Sequence, residues 1–317
     1  MPRICSLASA RLGLAVLFLL GSAALAEADV VPRFVGTDQS PDALLEVIST
    51  ARSRSFKPVG HTSIVLRMRT VARVTAAMKV RSHVVPHGYQ HEIAAYRLSR
   101  LLGMDNVPPA VFRRVRWNEI RQRFHEDMLR RRASVRRGVL WDDDDSAPGA
   151  AIYWVKGMRS VGLEDVPMWA AWVGDGEIPN GRDLLAGDLS TMAVFDMLIA
   201  NWDRFSGGNF PTDATRTRAL LRDNDRAFST PLLERRYEKL LARLTETERF
   251  SKSLVERLGE LDEDAIRSEL ALDPSHTVDP LLSDAQIDDL LARRATILSH
   301  IAALIEERGA PDVLVFP

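Results

Sequence analysis

Apolar and polar positions along the 317 residues follow two periods, and the period changes between the two halves of the chain. Runs of β-branched and apolar residues predict strands over 62–69, 73–80 and 151–155. Apolar residues at helical spacing predict helices over 92–102 and 183–200. Most of the remaining chain also has a helical pattern. Strands therefore come first and helices later, which predicts an α+β fold with two lobes and a cleft between them.

Three further stretches are less regular. The charged residues 117–137 predict one arginine-rich helix, while the glycine- and proline-bearing residues 157–181 predict an irregular segment. Residues 219–222, with the sequence ALLR, predict a short strand that ends in acidic side chains.

The first residues have the pattern of a secretory signal peptide. Arg3 and Arg11 precede an apolar run over 12–20, and the small residues of 24–26 predict cleavage after Ala26. The run is shorter than the roughly 20 residues that a membrane span needs. We therefore expect an exported protein, periplasmic or secreted, with no stable membrane anchor after cleavage. The one cysteine, Cys5, would be removed, so the core must be stable without disulfides.

Composition and pattern divide the chain into four segments: a signal peptide over 1–26, an N-terminal extension over 27–58, a strand-rich lobe over 59–160 that contains the arginine-rich helix, and a helical lobe over 161–317. The formal net charge is −1 at pH 7. A balance this close to zero gives no indication of nucleic-acid binding.

Acidic and basic residues that carry candidate chemistry stand at the ends of predicted elements. Asp203 lies in NWDRFSGGNF (201–210), directly after an apolar helix, and Asp223 follows the predicted strand at 219–222. Lys79 ends a strand, and Glu92 opens the next helix. Carboxylates brought together in a cleft favour a divalent cation such as Mg²⁺. Taken singly, each of these segments also has the pattern of an ordinary charged turn or helix terminus.

Taken together, these segments resemble the four-jointed / Golgi casein kinase family of secretory-pathway kinases. HEIAAYRLSRLLGMDNVPPAVFRRV (91–115) resembles the family's metal-binding helix and the Val-Pro-Pro strand after it. AAMKVRS (76–82) is similar to its nucleotide-phosphate lysine segment. NWDRF is similar to its catalytic Asp-Arg-His loop, and RDNDRAF to its metal-binding Asp-Asn-Gly segment. The resemblance covers roughly residues 60–230 and implies an atypical protein-kinase-like fold, with a strand-rich N-lobe and a mostly helical C-lobe.

The resemblance also implies roles. Lys79 and Glu92 would bind ATP, and Glu92, Asp223 and Asn209 would hold Mg²⁺ or Mn²⁺. Asp203 would be catalytic, accepting the proton of the acceptor hydroxyl or orienting it. The implied function is a metal-dependent transfer of the γ-phosphate of ATP to a hydroxyl on an exported protein or glycan.

Two departures from the family pattern leave an alternative open. Phe205 stands where the family has histidine, and Asp225 stands where it has glycine. Asp225 lacks the conformational freedom of glycine at positive φ, although a carboxylate there could also add a metal ligand. The alternative is a catalytically inactive pseudokinase that binds a nucleotide or a partner.

A third hypothesis is an unrelated exported metalloprotein. It would use His83, His87 and His91 together with the aspartate run 142–145. Pro86 and Gly88 interrupt the histidine spacing, which favours a solvated loop.

Overall fold

The computed structural model describes residues 33–60, 63–160, 166–205 and 209–317. The predicted signal peptide lies outside these residues. The strands are β1 Ser53–Val59, β2 Val65–Thr70, β3 Thr75–Val80, β4 Ala110–Phe112, β5 Val115–Arg116, β6 Ser146–Ala147, β7 Gly149–Tyr153, β8 Arg159–Ser160 and β9 Pro211–Thr212. The helices are α1 Pro41–Thr50, α2 Gly88–Leu101, α3 Trp117–Gln122, α4 Arg132–Gly138, α5 Val166–Val173, α6 Asp183–Leu198, α7 Glu234–Thr245, α8 Lys252–Glu260, α9 Glu263–Leu270, α10 Asp284–Arg308 and α11 Ala310–Val313, with a 3₁₀ helix at Glu126–Arg131.

Five strands form one antiparallel sheet in the order β1-β2-β3-β7-β4. Alternate residues of its central strands are buried, which accounts for the period of two in the sequence. Gly149 begins β7 opposite Val80. A Cβ atom at Gly149 would lie 2.4 Å from the carbonyl oxygen of Lys79, so the two strands can approach this closely only with glycine here.

Helix α2 connects the sheet to the helical part of the chain. Its residues Ile93 and Leu98 belong to one large core that also contains residues of α6 and α10. Arg97 pairs with Glu269 of α9 at 3.5 Å. Because α2 packs on both sides, its orientation is fixed by the whole structure rather than by the strand-rich part alone.

The prediction of an α+β fold, with strands early and helices late, is confirmed. The sheet, however, begins at Ser53, inside the segment that the sequence assigned to an N-terminal extension. Strand β1 was missed because Lys57 and Pro58 interrupt its apolar pattern. Proline is tolerated here because β1 is at the edge of the sheet.

The prediction of one helix over 117–137 was wrong. The chain forms α3, a 3₁₀ helix and α4 instead. The break is at Phe124, whose neighbours bond to β1: the Phe56 amide donates to the Arg123 carbonyl at 2.8 Å, and the His125 amide donates to the Phe56 carbonyl at 2.8 Å. Burial of Phe124 against the sheet core outweighs the helical propensity of the arginines around it.

Two other local predictions were also wrong. Residues 219–222 form only an isolated bridge, Ala219 to Thr212, because the Leu221 amide donates to the Asn106 carbonyl instead of to a neighbouring strand. Within 157–181 the chain forms helix α5. Among the described residues, no helix combines the length and apolar character needed to cross a bilayer.

Candidate active site

Strand β3 delivers the lysine. Lys79 is the fifth residue of β3 and is only 8% exposed. Its ammonium group lies 2.5 Å from Oε1 of Glu92 and 3.0 Å from Oδ2 of Asp225, and it also donates to Oδ1 of Asp223. One buried cation therefore contacts three carboxylates that come from two distant parts of the chain.

Helix α2 places Glu92 in its second turn, where the side chain is 3% exposed. The start of the helix is bound to the helical lobe, since the Tyr89 hydroxyl donates to Asp279 at 2.6 Å and the Gln90 amide donates to the Pro280 carbonyl at 2.9 Å. The backbone amide of Asn224 donates to Oε1 of Glu92 at 3.0 Å. Glu92 therefore contacts both the lysine and the segment that carries Asp223.

The electrostatics follow from burial and from the shared lysine. Burial alone lowers the pKa of Lys79, but Glu92, Asp223 and Asp225 together raise it above its ordinary value. Burial raises the pKa of Glu92, against the opposing effect of Lys79. For Asp223, burial favours the neutral form, yet the contact with Lys79 holds its pKa below the ordinary value. Lys79 is therefore charged at neutral pH and stabilises the ionised form of Asp223.

The donor set fits a hard divalent cation. Glu92, Asp223 and Asp225 each offer one carboxylate oxygen, and these oxygens lie within 4.8 Å of one another. Carboxylate oxygens are the ligands that Mg²⁺ and related ions prefer. With all groups ionised, one lysine leaves the cluster with an excess of negative charge. A cation bound here would neutralise that excess.

The Asp-Arg loop and the Asp-Asn segment are joined by buried hydrogen bonds. Arg204, which is completely buried, bonds to Asp196 and donates to Oδ1 of Asn224 at 2.8 Å. Asn201 donates to the same Asn224 oxygen at 3.0 Å. Asp223 has φ +64°, a conformation that Asp tolerates better than most residues. These contacts fix the position of the Asp223 backbone relative to the loop that carries Asp203.

Asp203 and Asn209 lie at the side of the same site. The Asn209 amide donates to the Asp203 carbonyl at 3.2 Å and to its Oδ2 at 3.4 Å. Nε of Arg226 is 3.7 Å from Oδ2 of Asp203. Asp203 is thus held near the cluster without being one of its members.

A cleft of about 500 Å³ is lined by Lys79, Glu92, Asp223 and Asn209. Its other walls come from the sheet and from the segment after it, including Gly60, Ala77 and Ile152. The structure therefore brings four of the five predicted site residues to one cleft. The fifth, Asp203, is hydrogen-bonded to Asn209, which lines the cleft.

The two departures from the family pattern have local explanations. Phe205 packs into the large core beside Phe210, with ring centroids 5.2 Å apart, and Arg243 stacks on it at 3.7 Å. At the other position, the positive φ belongs to Asp223 rather than to Asp225, so glycine is not required there. From the sequence, Asp225 was noted only as an added carboxylate at the glycine position, and Arg204 was not predicted as a site residue. Their burial is apparent only in the folded chain.

The histidines do not gather with the aspartate run. Among the residues that the structure describes, the group with metal-binding geometry is Glu92, Asp223 and Asp225. His91 lies within helix α2 rather than in a loop, and burial lowers its pKa to about 4. Asp142 bonds to Arg81 and Arg114. The geometry gives no support to the hypothesis of an unrelated metalloprotein.

Known proteins resemble this chain in sequence. A family model described as Golgi casein kinase, C-terminal, Fam20 matches residues 177–313. Human glycosaminoglycan xylosylkinase is 26% identical to this chain over 340 residues, covering 90% of this chain and 81% of that protein. The chain is similar to the Golgi casein kinase family, as the sequence predicted. This similarity bears out the prediction of an atypical kinase.

Solved structures share the Golgi casein kinase fold. The crystal structure of the Golgi casein kinase with Mn/ADP bound matches with a TM-score of 0.67 at 19% identity, over 88% of this chain and 79% of that one. The structure of hydra Fam20 with sugar matches with a TM-score of 0.65 at 16% identity, over 87% of this chain and 92% of that one. The predicted two-lobed, kinase-like fold is confirmed. The Mn and ADP of the first neighbour agree with the expectation of ATP and a divalent metal.

Proposed function

We propose that this protein transfers the γ-phosphate of ATP to a hydroxyl group on an exported glycan or protein, with Mn²⁺ or Mg²⁺ as cofactor. The observation that supports it most directly is the convergence of Lys79, Glu92 and Asp223 on one cleft. In phosphoryl transfer, positioning and charge neutralisation supply most of the catalysis. The cleft provides a lysine that can neutralise phosphate charge and carboxylates that can position a metal ion.

Each residue has a proposed role. Lys79 binds phosphate oxygens of the nucleotide, and Glu92 orients that lysine through the contact at 2.5 Å. Glu92, Asp223 and Asn209 hold the metal, which supplies neutralisation of phosphate charge when bound. Asp203 accepts the proton of the acceptor hydroxyl or orients it, and its hydrogen bond with Asn209 keeps it beside the metal ligands.

A sugar hydroxyl is the first acceptor to test. The human relative that matches over 90% of this chain is named as a kinase of xylosyl groups in glycosaminoglycans. An exported protein with a serine acceptor is the second. Export is proposed from the pattern of residues 1–26. We also propose a division into a lobe over 59–160 and a lobe over 161–317, with the cleft at their junction.

The test is incubation of residues 27–317 with labelled ATP, Mn²⁺ or Mg²⁺, and either a xylose-containing glycan or a casein-type protein. We expect labelled product from the wild type and none from Asp203→Ala. Asp264→Asn is the matched control, because Asp264 is exposed and lies on α9. Nucleotide binding with neither labelled product from any acceptor nor release of phosphate to water would favour the pseudokinase alternative.

A further inference from the structure

Asp225 is the member of the carboxylate cluster to which the family resemblance gives no role. It is 7% exposed, and its Oδ2 lies 3.0 Å from the ammonium group of Lys79. One of its oxygens lies within 4.8 Å of oxygens from Glu92 and Asp223. The Asp225 side chain therefore points into the cluster and not into solvent.

The backbone of Asp225 is held from behind by helix α2. A Cβ atom added to Gly88 would lie 2.9 Å from Cβ of Asp225, so the first turn of the helix packs directly on this residue. Nδ1 of His91, one turn further along, lies 3.0 Å from the Asp225 carbonyl oxygen and donates to it. The close packing and the hydrogen bond together hold the backbone and Cβ of Asp225, from which the carboxylate extends into the cluster.

A second hydrogen bond determines which nitrogen of His91 carries the proton. The Gln286 amide nitrogen, on helix α10, donates to the Phe228 carbonyl at 2.8 Å and lies 3.4 Å from Nε2 of His91. An amide has two N–H donors, so it serves both acceptors. Nε2 therefore accepts, and Nδ1 carries the hydrogen that is donated to Asp225.

Lys79 alone does not saturate the three carboxylates. An ammonium group has three N–H donors, and here each of the three carboxylates receives a contact from it. An ionised carboxylate offers about four acceptor positions. Each of the three therefore keeps oxygen lone pairs that the lysine does not reach, and these are available to a metal ion.

We propose that Asp225 is a third carboxylate ligand of the divalent cation in this chain, and that His91 is the residue that positions it. The inference rests on the proposed function of the cleft. It adds to that function a ligand that the glycine of the family pattern does not provide. The expected consequence is tight binding of Mn²⁺ even without nucleotide, because three protein carboxylates instead of two surround the ion.

The test is a titration of the purified protein with Mn²⁺ in the absence of nucleotide, following the free ion by electron paramagnetic resonance. Asp225→Asn should weaken Mn²⁺ binding by about 10-fold to 100-fold, the range found when groups that support a metal site are removed. Asp225→Gly should weaken it at least as much. Asp264→Asn should bind as the wild type does.

His91 is tested in the same titration with two variants. His91→Leu removes the donor and should weaken Mn²⁺ binding, whereas His91→Asn places an amide N–H near the position of Nδ1 and should recover most of it. A purely structural role for His91 would lower the melting temperature of both variants without this difference in affinity. Equal Mn²⁺ affinity of the two variants overturns the positioning role.

The outcomes separate this inference from the proposed function. If Asp223→Asn loses Mn²⁺ but Asp225→Asn binds it within twofold of the wild type, Asp225 is only a counter-ion of Lys79 and the inference is overturned. The proposed function would then stand. If the wild type binds no Mn²⁺ and also forms no labelled product from ATP, both fail together.

Discussion

Two clusters of acidic residues in this molecule, the aspartate run 142–145 and the cluster of Glu92, Asp223 and Asp225, differ in how many basic partners they have. The aspartate run 142–145 lies on the surface, and its members meet arginines: Asp142 contacts Arg81 and Arg114, and Asp145 lies 2.5 Å from Arg136. At the candidate active site, the three carboxylates of Glu92, Asp223 and Asp225 share Lys79. Asp142 therefore has two arginine partners of its own, whereas Lys79 is divided among three carboxylates.

Magnitudes show why this difference matters. Two unit charges 4.8 Å apart, the limit of separation for the cleft oxygens, repel by about 3–4 kcal/mol at an effective dielectric constant of about 20. Surface ion pairs such as those of the aspartate run contribute about 0–1 kcal/mol each. Acidic composition alone therefore does not identify a cation site. A cation site is indicated instead by buried carboxylates that have too few basic partners.

The largest effect is expected when Lys79, the basic side chain that contacts all three carboxylates, is replaced. Lys79→Met leaves three carboxylates without their shared cation and should lower the free energy of unfolding by about 3–5 kcal/mol, the usual consequence of breaking a buried ion pair. Urea denaturation measures this. Added Mn²⁺ should stabilise the variant, because a ligand that binds only the folded state shifts the equilibrium toward it. A loss below about 1 kcal/mol would show that the cleft is as well neutralised as the surface run.

Removal of one cleft carboxylate should have the next largest effect, and on activity. Asp223→Asn should reduce phosphate transfer by about 100-fold or more, the scale of losing one electrostatic contact to a transition state. The matched variant Asp142→Asn should retain full activity, since Asp142 pairs with two arginines and does not line the nucleotide cleft. The initial rate with labelled ATP is the measurement. Equal losses in the two variants would remove the distinction between the two acidic groups.

A smaller effect is expected from the link between the loop that carries Asp203 and the segment that carries Asp223. Arg204→Lys keeps a positive charge near Asp196 but loses the donors to Asn224 and to the Arg222 carbonyl. We expect a loss of about 1–3 kcal/mol of stability from these unpaired buried groups, together with a measurable fall in transfer rate. Thermal unfolding and initial rates are measured on the same preparation. A variant with lower stability but unchanged activity would show that Arg204 does not position Asp223.

The smallest effect belongs to the surface run. Arg114→Met removes one of the two arginine partners of Asp142 and should change the free energy of unfolding by less than about 1 kcal/mol. The difference should vanish at high salt, because exposed charges are screened. A loss comparable to that of Lys79→Met would contradict the view that the run is an ordinary surface network.

The residues that the sequence grouped as a site lie together in the fold, whereas several of the predicted elements around them do not form. Lys79 and Glu92 were recognisable because the ends of a strand and the start of a helix position such groups by local geometry alone. Asp203 and Asp223 were recognisable as the acidic ends of two apolar segments. Their approach to one another depends on Arg204 and Asn224, whose buried hydrogen bonds form only in the folded chain.

Predictions that failed did so where tertiary contacts outweighed local pattern. Phe124 interrupts the arginine-rich helix because it is buried beside β1. Residues 219–222 have the composition of a strand, but their amides bond to Pro211 and Asn106 individually. His91 was assigned to a solvated loop because Pro86 and Gly88 precede it. Gly88 instead begins helix α2, where the absence of a side chain permits close packing on Asp225.

The most direct measurement is an anomalous difference map at the manganese absorption edge, from crystals of residues 27–317 grown with Mn²⁺ and ADP. The account predicts a strong peak between the carboxylates of Glu92 and Asp223, beside Lys79. A map with no peak in the cleft, or with its strongest peak at the aspartate run 142–145, would contradict it.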